Sequence, residues 1–82
     1  MDFSKPVFKH RTPSAGTFRI FWTTRAGNRV FELTHNGRHV ALAFDPSAIG
    51  RELRDGGYDS KLGFASAPLA IPSDPHGWNG ME

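Results

Sequence analysis

The dipeptide Asn36-Gly37 constrains the fold of this chain more than any other feature of the sequence. A type I′ turn needs a positive φ at both central residues, and Asn followed by Gly adopts this conformation readily. The dipeptide separates residues 29–35 from residues 38–44, two stretches that are rich in β-branched and other apolar residues. We therefore predict a β-hairpin with a two-residue loop.

The two-residue loop also determines which side chains share a face of the sheet. Because successive side chains of a strand point to opposite faces, the loop pairs Leu33 with Val40 and Phe31 with Leu42 on one face. Residues 17–24 predict a further strand, because they are mostly aromatic or β-branched. The predicted core face of this meander holds Phe18, Ile20, Trp22, Phe31, Leu33, Val40, Leu42 and Phe44.

An α-helix is predicted at residues 46–55, directly after the third strand. Asp45 can accept a backbone hydrogen bond as the N-cap, and the proline that follows it suits the first helical position. Gly56 is typical of the left-handed residue that ends a helix. Ile49 and Leu53 form one apolar stripe, which we expect to pack on the core face of the sheet.

The chain has 82 residues, enough for a single small domain at 1–82. We predict an α+β fold with a core at 17–55, a three-stranded antiparallel β-meander with one α-helix packed on its core face. Residues 1–16 contain two prolines and no sustained periodicity. They predict an N-terminal arm, with a short edge strand at Val7–His10. Residues 56–82 predict an extended C-terminal tail that wraps around the domain.

The composition excludes several classes of protein. The chain has no cysteine, which excludes disulfides, thiolate nucleophiles and cysteine-ligated zinc sites. The longest apolar run, Val40–Phe44, is far shorter than the roughly 20 residues that span a bilayer. The N-terminus has no apolar signal-peptide region. We expect a cytoplasmic protein that does not associate with membranes.

The sequence also lacks motifs for catalysis and cofactor binding. It has no Gly-rich phosphate loop and no serine in a nucleophile-elbow pattern. His35 and His39 flank the hairpin loop and point to opposite faces, so they are not expected to share a metal ion. Glu32, His39 and Arg19 share the face opposite the core and match the residue types of a ribonuclease acid–base site. Any polar sheet face can bring such a trio together, so we expect no enzyme, no metal site and no cofactor.

Positive charge is concentrated in the first half of the chain. The formal net charge is only +2. Residues 1–44 carry seven Lys and Arg against two Asp and Glu, whereas residues 45–82 carry three against six. Such an asymmetry predicts a dipolar molecule with a basic patch that can meet an acidic partner.

The basic residues of the arm, the sheet and the turns alternate with aromatic residues. We predict that they bind a protein or a nucleoprotein complex, and nucleic acid is the alternative, since phosphates attract arginines and bases stack on aromatic rings. A three-stranded sheet backed by a helix is similar in element order to phage integrase arm-binding domains, which implies DNA recognition by strands. The predicted binding residues are Lys9, Arg11, Arg19, Phe21, Arg25, Arg29, Arg38 and His39.

Two aromatic residues of the tail are further candidates for partner contact. Tyr58 and Trp78 belong to the residue types that dominate interface hot spots. In size and in its lack of catalytic motifs, the chain resembles phage and mobile-element accessory proteins, anti-CRISPR inhibitors among them. We predict a small non-enzymatic binding protein that docks through the basic arm and the sheet face opposite the core.

Overall fold

The computed structural model describes residues 8–80, which form a four-stranded antiparallel sheet in the order β1-β2-β3-β4 followed by helices and turns. The strands are β1 (Phe8–Thr12), β2 (Gly16–Arg25), β3 (Asn28–His35) and β4 (Arg38–Ala43). The helices are α1 (Pro46–Asp55) and the short α2 (Asp59–Leu62), and 3₁₀ turns follow at Ala67–Leu69 and Pro75–Gly77. The predicted α+β class is confirmed. No helix among the described residues is long and apolar enough to cross a membrane.

The sheet has four strands rather than the predicted three, because β1 pairs with β2. Phe8 lies opposite Ile20 in this pairing and packs against the core. The aromatic anchor explains why a segment that is mostly basic joins the sheet. The predicted edge strand at Val7–His10 overlaps β1, which continues to Thr12, and Val7 itself lies outside the described residues.

Two of the three hairpin loops, the first between β2 and β3 and the second between β3 and β4, have two residues with positive φ, the conformation of a type I′ turn. The φ angles are 51° at Asn36 and 84° at Gly37, and they are 52° at Ala26 and 80° at Gly27. The hairpin predicted from Asn36-Gly37 is confirmed. The first loop has the same shape even though alanine is a poor residue for the left-handed region.

A β-bulge in β4 changes the register predicted from the sequence. His39 lies opposite Thr34 as expected, but Ala41 rather than Val40 lies opposite Leu33. The predicted pair of Leu33 with Val40 is therefore wrong. The extra residue lets both Val40 and Ala41 be buried, and each later side chain of β4 changes face.

The bulge moves two predicted core residues to the surface. Leu42 lies opposite Glu32 and is 43% exposed, and Phe44 is 76% exposed. Their assignment to the core face is wrong. Phe31 pairs with Ala43 instead of Leu42.

The core lies between the sheet, α1 and the tail. The helix has the predicted bounds: the Asp45 side chain accepts a 2.9 Å hydrogen bond from the backbone N–H of Ser47, and Gly56 ends the helix with φ of 87°. Burial of apolar side chains on both layers supplies the main stabilisation. The buried core residues are Phe18, Ile20, Leu33, Val40, Ala41, Ile49, Leu53, Ile71 and Trp78.

The C-terminal tail completes this core and is not extended throughout, since it contains α2 and both 3₁₀ turns. Its last described residues lie along the outer edge of β1. The backbone N–H of Gly80 donates a 2.8 Å hydrogen bond to the carbonyl of Lys9. The Asn79 side chain accepts from the backbone N–H of Arg11 and donates to the carbonyl of the same residue. The tail therefore covers an edge strand that would otherwise present unpaired backbone groups.

Candidate macromolecule-binding surface

One face of the sheet is opposite the core, and we call it the open face. Within residues 8–80, the helices and turns contribute to the core on the other face of the sheet. The strand register and the alternation of side chains assign the residues of the open face. They are Lys9, Arg11, Thr17, Arg19, Phe21, Thr23, Arg25, Asn28, Val30, Glu32, Thr34, His39 and Leu42.

A row of polar residues crosses all four strands on the open face. Lys9 lies opposite Arg19, Arg19 opposite Thr34, and Thr34 opposite His39. Because neighbouring strands are about 4.8 Å apart, the row is roughly 14 Å long. The ion pairs found within residues 8–80 do not include Arg19. The row therefore brings two cations and an imidazole onto one line.

The imidazole in this row is held by the carboxylate of the open face. His39 Nδ1 lies 2.7 Å from Oε2 of Glu32, and the two side chains are 53% and 28% exposed. An exposed pair of this kind contributes about 0–1 kcal/mol to stability. Its main effect is local: Glu32 orients the ring and adds one negative charge to a face with four Lys and Arg.

Thr34 is the one residue of the row that is buried. It is 8% exposed, and its Oγ1 has no hydrogen-bond partner among the described residues. A buried hydroxyl without a partner costs free energy, because it has lost its hydrogen bonds to water. The open face thus contains a destabilising polar atom at its centre.

Apolar side chains lie beside the cationic row. Phe21 and Leu42 flank Glu32 on neighbouring strands, and Val30 is buried farther along the sheet. Phe44 follows β4 directly and is largely exposed. The β-bulge creates this arrangement, because an uninterrupted strand would place Leu42 in the core. Both charged and apolar groups are therefore available at one side of the sheet.

The structure brings six of the eight binding residues predicted from the arm and sheet onto the open face. The other two, Arg29 and Arg38, do not join them. Arg29 places its guanidinium 4.6 Å from the centroid of the Trp22 ring, a cation–π contact on the opposite face. Arg38 lies opposite His35 next to the second loop. The residues that share the open face are Lys9, Arg11, Arg19, Phe21, Arg25 and His39.

The two aromatic residues predicted for the tail both contribute to packing. Trp78 is 7% exposed and belongs to the core, and its Nε1–H donates a 2.9 Å hydrogen bond to the carbonyl of Pro72. Tyr58 is half-buried and packs against the core. Burial, with Glu52 nearby, holds the pKa of Tyr58 above its ordinary value. Part of the Tyr58 side chain remains accessible to a partner, whereas the buried Trp78 side chain cannot act as an interface hot spot.

His35 has a structural role that the sequence did not indicate. Although His35 borders the hairpin loop, its Nε2–H donates to the carbonyl of Ala15, and its ring centroid lies 4.8 Å from that of Phe18 and 5.3 Å from that of Phe64. His35 and His39 lie on opposite sides of the sheet, as predicted. No group of three His, Asp or Glu side chains within residues 8–80 could hold a metal ion.

Sequence reasoning missed one cation near this surface. Lys61 of α2 lines a small pocket with Arg38 and His39 at the start of β4. It is more than 20 positions from them in the chain, and no local pattern links a lysine of one short helix to a hairpin loop. Only the packing of α2 beside the hairpin brings these residues together.

No protein-family model, curated protein or solved structure matches this chain.

Proposed function

We propose that this chain is a non-enzymatic binding protein that docks on an acidic macromolecular partner through its open face. The observation that carries this proposal is the position of the cations. Arg11, Arg19 and Arg25 lie on the same sheet face as Lys9, and Glu32 is the one carboxylate that the strands of residues 8–80 place on this face. Such a face attracts negatively charged surfaces and accelerates their association.

Exposed apolar side chains favour a protein-containing partner over bare nucleic acid. Leu42 and Phe44 are the large hydrophobic side chains exposed among the described residues. Leu42 lies on the open face with the cations, and Phe44 directly follows the end of β4. Protein interfaces combine an apolar centre with a polar rim in this way. A nucleoprotein complex offers both apolar protein surface and negatively charged phosphates. We propose that such a complex is the partner, and that this chain is an inhibitor of phage or mobile-element origin, of the anti-CRISPR kind.

Direct binding of nucleic acid is the alternative function. The row from Lys9 to His39 would contact phosphates, and Phe21 lies on the same face beside Arg19, where it could stack on a base. A nucleic acid bound in this way loses affinity steeply with salt, because each neutralised phosphate releases counterions. The two functions therefore differ in whether the purified chain binds bare nucleic acid through its open face.

The first experiment measures fluorescence anisotropy of labelled single-stranded DNA, RNA and duplex DNA across a salt series. The test variant is Arg19→Gln with Arg25→Gln, and the matched control is Arg51→Gln with Arg54→Gln on the exposed side of α1. Both variants remove two positive charges. Binding that is steeply salt-dependent and lost only in the test variant establishes the nucleic-acid alternative.

The second experiment places a photo-crosslinking amino acid at Leu42 or, as the control position, at Arg51. We expect Leu42 alone to crosslink one discrete macromolecule in extracts of cells that carry the gene. This product should disappear when the Arg19→Gln and Arg25→Gln changes are added. The proposed function is wrong if neither the nucleic-acid binding in the first experiment nor the crosslink in the second depends on Arg19 and Arg25.

A further inference from the structure

A small pocket lies where α2 meets the start of β4, beside the open face. It has a volume of about 50 Å³ and is lined by His35, Arg38, His39, Val40, Lys61 and Leu62. A single water needs roughly 10–15 Å³ of such space, so the pocket can hold several waters or one small polyatomic ion. We propose that this pocket, the Arg38–Lys61 pocket, binds a phosphate group.

The charges of the lining residues point to an anion. Arg38 and Lys61 come from different elements and border the same small space, and no Asp or Glu of residues 8–80 is among the lining residues. The ion pairs within the described part of the chain involve His39 and His76, and neither includes Arg38 or Lys61. Two cations that border one cavity repel each other unless an anion neutralises them.

The types of cation favour a tetrahedral oxyanion over a halide. Arginine presents several N–H donors in a planar fork that fits two oxygens of one phosphate, and lysine adds a compact point charge. A phosphate group can accept from both at once. Chloride has no such set of separate acceptor oxygens, so it gains less from the fork.

Parts of the pocket wall are fixed before any ligand enters. The Nε2–H of His35 is committed to the carbonyl of Ala15, and its ring is held between Phe18 and Phe64. On the other side of the strand, His39 Nδ1 is held by Glu32 at 2.7 Å. A wall that is ordered in advance reduces the entropy that a ligand must lose on binding. The pocket is independent of the proposed function, because a free phosphate can fill it without a macromolecular partner.

The test records backbone amide NMR spectra of the full chain during titration with inorganic phosphate, against sodium chloride at matched ionic strength. We expect saturable shifts that are confined to residues 38–40 and 61–62. Arg38→Gln and Lys61→Gln should each weaken the apparent affinity about tenfold, because each removes a charge-assisted hydrogen bond. Arg51→Gln on α1 is the matched control and should leave the affinity unchanged.

A second titration compares a trinucleotide with and without a 5′-phosphate. Tighter binding of the phosphorylated trinucleotide than of both the unphosphorylated one and inorganic phosphate identifies a nucleic-acid end as the source of the group, and any other order of affinities identifies a free phosphate. Shifts that do not saturate, that chloride reproduces, or that persist when Arg38→Gln and Lys61→Gln are combined would overturn the proposal. The spectra of the variants also show directly whether each one is folded.

Discussion

Gly50 of α1 and Ser73 of the tail lie so close together that no side chain fits between them. A Cβ on Gly50 would overlap the carbonyl oxygen of Ser73 and lie 3.0 Å from the carbonyl carbon. The close neighbour of this helical glycine is therefore the tail rather than the sheet. The segment that contacts Gly50 also carries Pro75, which is fully buried.

We expect Gly50→Ala to destabilise the protein even though alanine favours helices. The helix would gain about 1 kcal/mol from the substitution, but the overlap with a rigid backbone should cost about 1–3 kcal/mol or more. Urea unfolding followed by circular dichroism measures the difference. Arg51→Ala, at the next and exposed position, is the control and should change the free energy of unfolding by less than about 0.5 kcal/mol. An increase in stability for Gly50→Ala would contradict the close packing of helix and tail.

Thr34→Val is predicted to stabilise the protein. The substitution keeps the shape of a β-branched side chain and removes a buried hydroxyl that has no partner within the described residues. We expect a gain of about 1 kcal/mol in the free energy of unfolding. Thr23→Val, on the same face and in a half-buried position, is the comparison and should gain less. Equal gains at both positions would show that β-propensity, rather than the orphan hydroxyl, is responsible.

Ala26→Asn should also stabilise the protein, through the first hairpin loop. Ala26 has φ of 52°, and the left-handed region costs an ordinary L-residue about 1–2 kcal/mol that Asn largely avoids. The reverse change at the second loop, Asn36→Ala, should lower stability. It loses the same conformational preference and also the 2.9 Å hydrogen bond that Asn36 Oδ1 accepts from the backbone N–H of Thr17. Thermal unfolding of both variants in one buffer tests the pair.

We expect the free energy of unfolding to fall at acidic pH because His10 becomes protonated. Burial lowers the pKa of His10, and its Nδ1 accepts a 3.3 Å hydrogen bond from the backbone N–H of Asn79, which a protonated nitrogen cannot do. The folded state therefore favours neutral His10. The contribution of neutral His10 to the free energy of unfolding is complete above the pKa of His10 in the unfolded chain, about 6.5. It is lost as the pH falls below that value toward the lower pKa of the folded state.

The measurement for His10 is the free energy of unfolding at pH 8 and pH 5.5. His10→Gln should reduce the loss between these two pH values. His76→Gln serves as the control, because His76 is 81% exposed beside Asp74. The interpretation fails if the wild-type chain becomes more stable at pH 5.5, or if only the His76 variant flattens the profile.

Removing the carboxylate of the open face should strengthen binding of an anionic partner. Glu32→Gln raises the net charge of that face by one and removes the carboxylate charge that lies 2.7 Å from His39 Nδ1. We expect severalfold tighter binding of whichever anionic ligand the anisotropy or crosslinking experiment identifies, mostly through a faster association rate. Glu52→Gln, on the exposed side of α1, makes the same charge change elsewhere and should have little effect. Weaker binding of the Glu32 variant would show that the His39–Glu32 pair itself contacts the partner.

Local signals were sufficient to predict the second hairpin and the helix. Asn36 with Gly37 requires one kind of turn, and Asp45 and Gly56 supply the side chain and the backbone conformation that begin and end a helix. The predicted bounds of the helix match α1 at both ends. Each of these features depends on residues within a few positions of one another, which is why a single sequence reveals them.

The bulge and the fourth strand depend on distant contacts and were not predictable in the same way. Residues 40–44 are apolar throughout, so alternation cannot show where the strand changes face. β1 is mostly basic and joins the sheet through Phe8 and through the tail residues that reach its edge. For the candidate site, the sequence indicated the cations of the open face but not the pocket that Arg38 shares with Lys61.

The tail that covers β1 has a consequence for the order in which the chain can fold. Asn79 and Arg11 are 68 positions apart, and they form two hydrogen bonds with each other. During synthesis all four strands are made before Asn79, so the outer edge of β1 is covered only after residue 79 has been added. Until that point a nascent chain would carry a vacant sheet edge, and a chain truncated before residue 79 would leave that edge open to pairing with other chains.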